Sequence, residues 1–311
     1  MTTIKLGTRG SKLALWQAYF VKETLEAGGL PVEIVIIETK GDKILDRSLS
    51  KIGSKGVFTE ELEEKLRSGE IDIAQHSAKD LQSELAEDLE LIAFTERETV
   101  NDVLVSFSKN LSLESGESFV VGTSSTRRVA MLKHFYPHIK TVDMRGNLQT
   151  RLAKLESGVC DALLLAYAGV HRMGYEEHIA QLIDKTTFTP AVGQGSVAIE
   201  CASTLDPAKR ERIRELLNDA ETEQQLLAER AFLRRLQGGC SIPVFGLCEV
   251  ELLDGFGSQL SMTGGIISLD GKEIIKETIK GTDPIAVGED LAEKIIALGG
   301  DRILREIKAA M

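Results

Sequence analysis

An alternation running through the first two-thirds of the chain constrains the fold most. Apolar runs of four to eight residues recur between helix-periodic stretches up to about residue 200, which predicts an α/β fold with largely parallel strands. A short strand at 4–6 leads through GTRGS (7–11) into a helix from 12 to about 27, and the next strand is expected at 32–38. A helix at 58–67 would carry Phe58, Leu62 and Leu66 on one face and stop at Ser68-Gly69. A strand at 71–74 then runs into His76-Ser77-Ala78-Lys79-Asp80.

Two landmarks repeat in order. The strand–GTRGS–helix junction at 7–11 returns as strand–GTSSTRR–helix at 122–128, an offset of 115 residues. Leu66-x-Ser68-Gly69-x-x-Asp72 returns as Leu155-x-Ser157-Gly158-x-x-Asp161, an offset of 89. Two similarly built α/β lobes account for both, with about 26 extra residues between the landmarks of the first. The polar, glycine-containing stretch at 40–56 supplies most of that excess and has the character of a lid or binding loop.

The pattern changes after residue 200. A strong helix at 219–236 ends at Gln237-Gly238-Gly239, with Cys240 just beyond. Residues 242–283 alternate and carry a hairpin turn at Asp270-Gly271, so a small antiparallel sheet is expected, with helical structure over 284–310 closing a third, α+β domain. The expected division is 1–98 with 195–216 for the first lobe, 99–194 for the second, and 217–311 for the third domain. The chain would cross between lobes at 95–101 and 189–196, and TPAVGQGSVAIE (189–200) reads as a hinge.

Charge is distributed unevenly. The net charge is −11, yet arginines gather in glycine- and serine-rich turns: GTRGS, GTSSTRR, and MRGNLQTR at 144–151. One arginine in a turn is ordinarily solvated surface charge. Three clusters of one turn chemistry describe a basic pocket in an acidic protein, suited to carboxylates or phosphates held by guanidinium forks. The acidity argues against a nucleic-acid partner. No apolar run is long enough to span a membrane, and the N-terminus lacks a signal-peptide pattern. The four cysteines form no C-x-x-C pair and have no histidine company, so neither a disulfide framework nor a metal site is expected. The chain reads as a reduced, cytoplasmic protein without a coiled-coil signal, and hence as a monomer.

Both strand–turn–helix junctions combine backbone N–H groups, a serine (Ser11, Ser125) and the positive end of a helix dipole, which makes an anion site even where the serine is also an N-cap. Arg9, Arg127, Arg128, Arg145, Arg151 and Arg172 then make the combined site cationic enough for a ligand with many carboxylates. Lys79-Asp80 lies at the exit of a parallel strand, where open α/β sheets carry functional groups. A carboxylate there can stabilise a developing cation or accept an N–H hydrogen bond. Cys240, in a loop past a helix end, fits either a small buried apolar residue, the commoner role for a cysteine, or a point reachable for covalent attachment; Cys160, Cys201 and Cys248 sit in apolar runs and read as core.

These motifs, in their order, resemble the porphobilinogen deaminase (hydroxymethylbilane synthase) family over essentially the whole chain: GTRGSKLALWQA, KGVFTEELE, HSAKDL, VGTSSTRR, MRGNLQTRLAKL, PAVGQGSVAIE and GGCSIP. Leu81-Gln82 stands where the family usually has proline after Lys-Asp, and Ser196 where alanine is common. The resemblance implies two lobes like those of a periplasmic-type binding protein plus a third domain carrying a covalent cofactor. It implies a transferase of porphyrin biosynthesis that condenses four porphobilinogens head to tail, releasing ammonia each time, and then hydrolyses the product. Each pyrrole carries an acetate and a propionate. The primer would be a dipyrromethane, thioether-linked at Cys240. Asp80, with Lys79, would be catalytic, stabilising the azafulvene-like cation left by ammonia and managing pyrrole N–H protons. Lys79, Asp80, Ser125, Arg127, Arg128, Arg145 and Gly146 would hold the cofactor. Arg9, Ser11, Arg145, Arg151, Arg172 and the loop lysines Lys51 and Lys55 would hold substrate and growing chain.

The main rival is a non-catalytic two-lobed carboxylate binder, which would need neither Cys240 nor a third domain. A nucleotide-dependent enzyme would need a G-x-x-x-x-G-K or G-x-G-x-x-G motif that the chain lacks.

Overall fold

A computed structural model describes residues 3–43, 56–108, 110–238, 242–253 and 257–310. Two five-stranded mixed sheets and one three-stranded antiparallel sheet organise it. The first sheet has the order β2 (Val32–Ile36), β1 (Ile4–Thr8), β3 (Ile73–Ser77), β10 (Val197–Ala202), β4 (Leu89–Phe94). The second has the order β7 (Lys140–Val142), β6 (Val120–Gly122), β8 (Ala162–Ala166), β5 (Asp102–Val105), β9 (Ile179–Leu182).

The two orders are the same arrangement. In each sheet the second and third strands are parallel neighbours, and the fourth runs antiparallel to both of its partners. That fourth strand is always the one that has just crossed from the other sheet: β5 follows the crossing at 95–101, and β10 follows the return. Helical crossovers within a sheet return the chain to the same end and give parallel neighbours. A strand arriving from the other sheet enters at the opposite end and must run the other way. The internal repeat read from sequence is therefore a repeat of topology.

Local sequence explains the helices that flank the sheets. Helix α1 (Lys12–Ala27) starts where Ser11 Oγ accepts Ala14 N at 3.3 Å, an ordinary N-cap. Its Ala18, Val21 and Leu25 pack on Ile4, Leu6 and Ile73 of the first sheet. On the opposite face, Leu62 and Leu66 of α2 (Glu60–Arg67) meet Ile71 and Ala74. In the second sheet, α3 (Thr126–Phe135) and α4 (Leu148–Glu156) cover opposite faces. Strand β8, buried along its whole length, is the apolar run ALLLA that a strand covered on both faces requires.

Two expected elements shift. The strand placed at 71–74 is β3, Ile73–Ser77, because its second half gains a partner 120 or more residues away: Ser77 faces Val197 and Ala74 faces Glu200. The helix placed at 58–67 begins at Glu60, which leaves Phe58 in the preceding turn.

The third sheet, β11 (Val244–Leu252), β12 (Ser258–Ile267) and β13 (Ile274–Gly281), packs on α7 (Ala220–Arg235) and α8 (Pro284–Ile295). Its other face docks on the second sheet's core through Phe245 and Ile267. The β12–β13 turn rests on α3: Gly271 (φ 74°) approaches so closely that a Cβ would lie 2.7 Å from Ala130 O, and its own carbonyl pairs with His134 Nδ1 at 2.7 Å. Helix α6 (Pro207–Leu217) leads from β10 toward this unit.

Candidate active site

Every sequence-expected site residue within the described structure lies in the turn or helix that follows a parallel strand, the side on which open α/β sheets bind ligands. Arg9 and Ser11 follow β1, Lys79 and Asp80 follow β3, Ser125, Arg127 and Arg128 follow β6, Arg145, Gly146 and Arg151 follow β7, and Arg172 ends α5 (Tyr167–Arg172) after β8. Cys240, Lys51 and Lys55 lie outside the described residues.

Beside the first sheet, Arg9, Ser11, Gln17, Phe58, Thr59, His76, Ser77 and Asp80 help line a concavity with about 430 Å³ of empty space. Asp80 is exposed at its rim, on a 3₁₀ turn, Ala78–Asp80, that continues β3. Arg9 is held rather than free. Its guanidinium makes a bidentate pair with Asp42, at 3.1 Å (Nε to Oδ2) and 2.5 Å (Nη2 to Oδ1), and stacks 4.1 Å from the Phe58 ring centroid. Burial alone would raise the Asp42 pKa, but hydrogen bonds from Arg9 and Thr39 carry it below the usual carboxylate range.

The second lobe's arginines divide into two groups. Arg127 and Arg128 turn inward onto Asp102, a fully buried carboxylate at the head of β5. Arg127 Nη2 donates to Oδ2 at 2.7 Å, and Arg128 donates to Oδ1 from Nη2 (2.7 Å) and Nε (3.2 Å). The remaining guanidinium edges reach Thr189 O and Leu164 O, both at 2.9 Å. Burial by itself would raise the Asp102 pKa; the two guanidiniums overcome it and hold the carboxyl far below its ordinary value. The expectation that both arginines point at ligand carboxylates thus meets a structure in which each is largely engaged by Asp102, while Arg127 Nε keeps no acceptor. The signal for Asp102 was present in sequence, a lone acid opening the apolar run DVLV, although its partners are not legible locally.

The second group is partly buried. Arg151 donates from Nε to Gly146 O at 2.8 Å, and Lys154 caps Arg145 O at 3.0 Å. Gly146 sits at φ 111°, and a Cβ there would be 2.7 Å from the Thr150 side chain, so the turn that presents Arg145 and anchors Arg151 requires glycine. Burial first, then the charges of Arg128 and Arg145, push the Arg151 pKa down to about 10, against the pull of Asp80 and Asp143. Lys79, half-buried, is pushed down to about 8 by burial and by Arg128 and Arg127, opposed by Asp80 and Asp102. Asp80 on the first lobe thus shares one electrostatic field with arginines on the second.

The crossings tie this field together. Gln194 donates to Asp102 Oδ1 (3.0 Å) and Val100 O (2.6 Å), and its amide oxygen lies 3.5 Å from Lys79 Nζ. Gly193, at φ 75°, packs on the Lys79 turn, where a Cβ would be 2.9 Å from Lys79 N. Ser196 links the two crossings through a 2.9 Å bond to Thr95 O. Glu229 of α7, fully buried, accepts from Arg97, Gly193 N and Cys248 N at 2.7–3.1 Å. Glu229 carries no recognisable motif and Gln194 lies inside PAVGQGSVAIE, yet each acts through partners distant in sequence.

Three buried N–H donors have no acceptor among the described residues: Arg127 Nε, Arg145 Nη1 and Gln149 Nε2. An unmet buried donor costs about 1–3 kcal/mol. On the first lobe, Asp80 is the exposed acid of the concavity that Arg9 and Ser11 help line.

Fold and site define the class: a two-lobed α/β protein with an added antiparallel unit and with guanidiniums and an exposed carboxylate gathered beyond the strand ends. Residues 4–210 match the family model described as "Porphobilinogen deaminase, dipyromethane cofactor binding domain", and residues 224–297 match its C-terminal domain. The chain is 56% identical to a porphobilinogen deaminase of Cytophaga hutchinsonii over 99% of its length and 98% of that protein. Identity to that of Desulfosudis oleivorans is 49%, covering 98% of each chain. Among solved structures, the periplasmic VFT2 domain of Bordetella pertussis BvgS overlaps 68% of this chain and 85% of its own at a TM-score of 0.40 and 17% identity, a likeness too slight to add to the topology. This chain belongs to the porphobilinogen deaminase family. Among the described residues no helix is long and apolar enough to cross a membrane.

Proposed function

We propose that the protein is a hydroxymethylbilane synthase. It condenses four porphobilinogen molecules head to tail with loss of ammonia at each addition, and releases the tetrapyrrole by hydrolysis. The observation that supports the reading is the match of residues 4–210 and 224–297 to the porphobilinogen deaminase family models, beside a concavity lined by Arg9, Ser11 and the exposed Asp80.

A dipyrromethane bound at Cys240 supplies a nucleophilic pyrrole α-carbon as the fixed end on which substrate units accumulate. Lys79, Asp80, Ser125, Arg127, Arg128, Arg145 and Gly146 would hold it. Arg9, Ser11, Arg145, Arg151, Arg172, Lys51 and Lys55 would hold the carboxylates of the incoming unit and the lengthening chain. Arg9 brings its guanidinium preset against Asp42 and Phe58, so little side-chain entropy remains to be lost on binding. As ammonia leaves, positive charge develops on the substrate pyrrole. Asp80 stabilises that charge and accepts the pyrrole N–H. Lys79 balances Asp80 and orients carboxylate.

The same reading assigns residues 1–98 with 195–216, 99–194 and 217–311 as the three domains, and places a monomer in the cytoplasm. The test is the intact mass of the purified protein before and after incubation with porphobilinogen, with peptide mapping at residue 240. Two linked pyrrole units on Cys240, lost in Cys240→Ser, together with turnover, support the assignment. A bare Cys240 and no turnover after incubation overturn it in favour of a carboxylate-binding protein.

A further inference from the structure

Trp16 is the chain's one tryptophan, and it stands half in solvent (39% exposed) on the side of α1 that leads toward the second lobe. Its indole stacks on Phe20, with ring centroids 5.8 Å apart and planes 2° from parallel. The guanidinium of Arg172, at the end of α5, lies over the same indole, 5.5 Å from its centroid. Arg172 Nη2 also donates to Gly195 O at 2.6 Å. That carbonyl is fixed: Gly195 sits at φ 103°, and a Cβ there would lie 2.5 Å from Glu98 O. The two helices also approach directly, with Leu13 of α1 3.7 Å from where a Cβ on Gly169 of α5 would be. One guanidinium thus touches a helix of the first lobe and the return crossing while belonging to the second.

We propose that Trp16 is the positioning residue for Arg172. The indole and the Gly195 carbonyl hold the guanidinium in one place at the cleft, and separation of α1 from α5 breaks that hold. The physical basis is the attraction of a cation to the indole face, strengthened where water is partly excluded. Phe20 fixes the indole plane from its own helix. The stem of Arg172 is partly withdrawn from solvent, and burial draws its pKa down against the charge of Glu98, so a charged head there needs the partners it has. The proposal rests on the reading of Arg172 as a ligand for substrate carboxylates, and adds the residue that aims it.

The experiment uses cofactor-loaded protein and reads two quantities. The first is the fluorescence of Trp16 itself, which is independent of turnover. Arg172→Leu is expected to shift the emission maximum and to raise acrylamide quenching of the only indole. An unchanged spectrum and quenching would show that the contact is not made in solution, and would overturn the proposal whatever Arg172 does. The second is kinetic. Trp16→Leu is expected to raise KM about two- to five-fold, the range a partly exposed cation–π contact supports, with kcat nearly constant, and Trp16→Phe recovers most of that loss by keeping an aromatic face. A shifted spectrum with KM unchanged in Trp16→Leu would overturn the positioning role. If Arg172→Leu also leaves KM unchanged, it is the assignment of Arg172 to substrate that fails. Thermal midpoints of all three variants separate these effects from loss of fold.

Discussion

Asp102→Asn is expected to be among the most costly single changes in this protein that leave side-chain volume unaltered. The Asp102 carboxylate is fully buried and receives three guanidinium N–H bonds at 2.7–3.2 Å and one amide bond at 3.0 Å. With one carboxylate between two arginines, the cluster carries a net charge of +1; asparagine makes it +2. Asparagine also keeps one acceptor oxygen and turns an NH₂ toward a guanidinium. Losing two charge-assisted bonds at about 1.5–3 kcal/mol each agrees with the penalty of about 3–5 kcal/mol for breaking a buried ion pair. At about 2–4 °C per kcal/mol, a loss near 4 kcal/mol lowers the melting midpoint by about 8–16 °C.

Thermal unfolding followed by circular dichroism reads this directly. A fall of less than about 2 °C would refute the account, because it would mean that Arg127 and Arg128 find other compensation. A triple variant, Asp102→Leu with Arg127→Met and Arg128→Met, separates charge from packing. It is expected to regain much of the lost stability, since apolar replacement of a buried ion cluster is often neutral, while failing to load cofactor. The pH dependence follows from the depressed pKa. Asp102 contributes stability above about pH 4, the range of an unfolded aspartate, and that contribution is lost as pH falls through the lower folded value. The Asn variant lacks this component of acid unfolding.

Three further outcomes are expected. Lys79 loses its proton as pH rises through about 8, so KM for porphobilinogen should climb above that pH, whereas Lys79→Arg, charged throughout, should abolish that limb; an identical limb in the Arg variant would assign it elsewhere. Gly146→Ala forces a Cβ to within 2.7 Å of Thr150 at φ 111°, at about 1–3 kcal/mol, and should lower the melting midpoint and raise KM together through the Arg151 anchor; no change in either would show that the turn relaxes freely. Cys160, Cys201 and Cys248 are buried, and burial raises all three thiol pKa values, that of Cys201 to about 11. Native cofactor-loaded protein should therefore release no chromophore from a disulfide thiol reagent and cofactor-free protein one equivalent, with any larger number contradicting the burial.

What was legible in the sequence shares one physical origin: signals acting within about four residues. Helix α1 begins where Ser11 caps it, α7 where Asp219 accepts Thr222 N at 2.7 Å, and the β12–β13 turn holds Gly271 at positive φ, as Asp-Gly implies. The topological repeat could be read because each lobe repeats the same strand–turn–helix junction. The third sheet and the arginine clusters at strand ends followed from the same local patterns, and the family motifs are themselves short runs of this kind. Phe58 was misplaced onto a helix face because apolar spacing does not reveal that the helix starts at Glu60; in the fold it lies under Arg9 instead.

The sequence by itself determined the lobes, the strand-end turns and the stock of charged groups available to a cleft. Tertiary structure alone decided which charges are already paired. Asp102 meets Arg127 and Arg128 from 25 and 26 residues away, Asp42 meets Arg9 from 33, and Glu229 meets Arg97 from 132. A guanidinium's chemistry depends on what lies within about 4 Å of it, and chain neighbours do not set that distance. Sheet order and the two crossings do, and they turn Arg127 and Arg128 in onto Asp102.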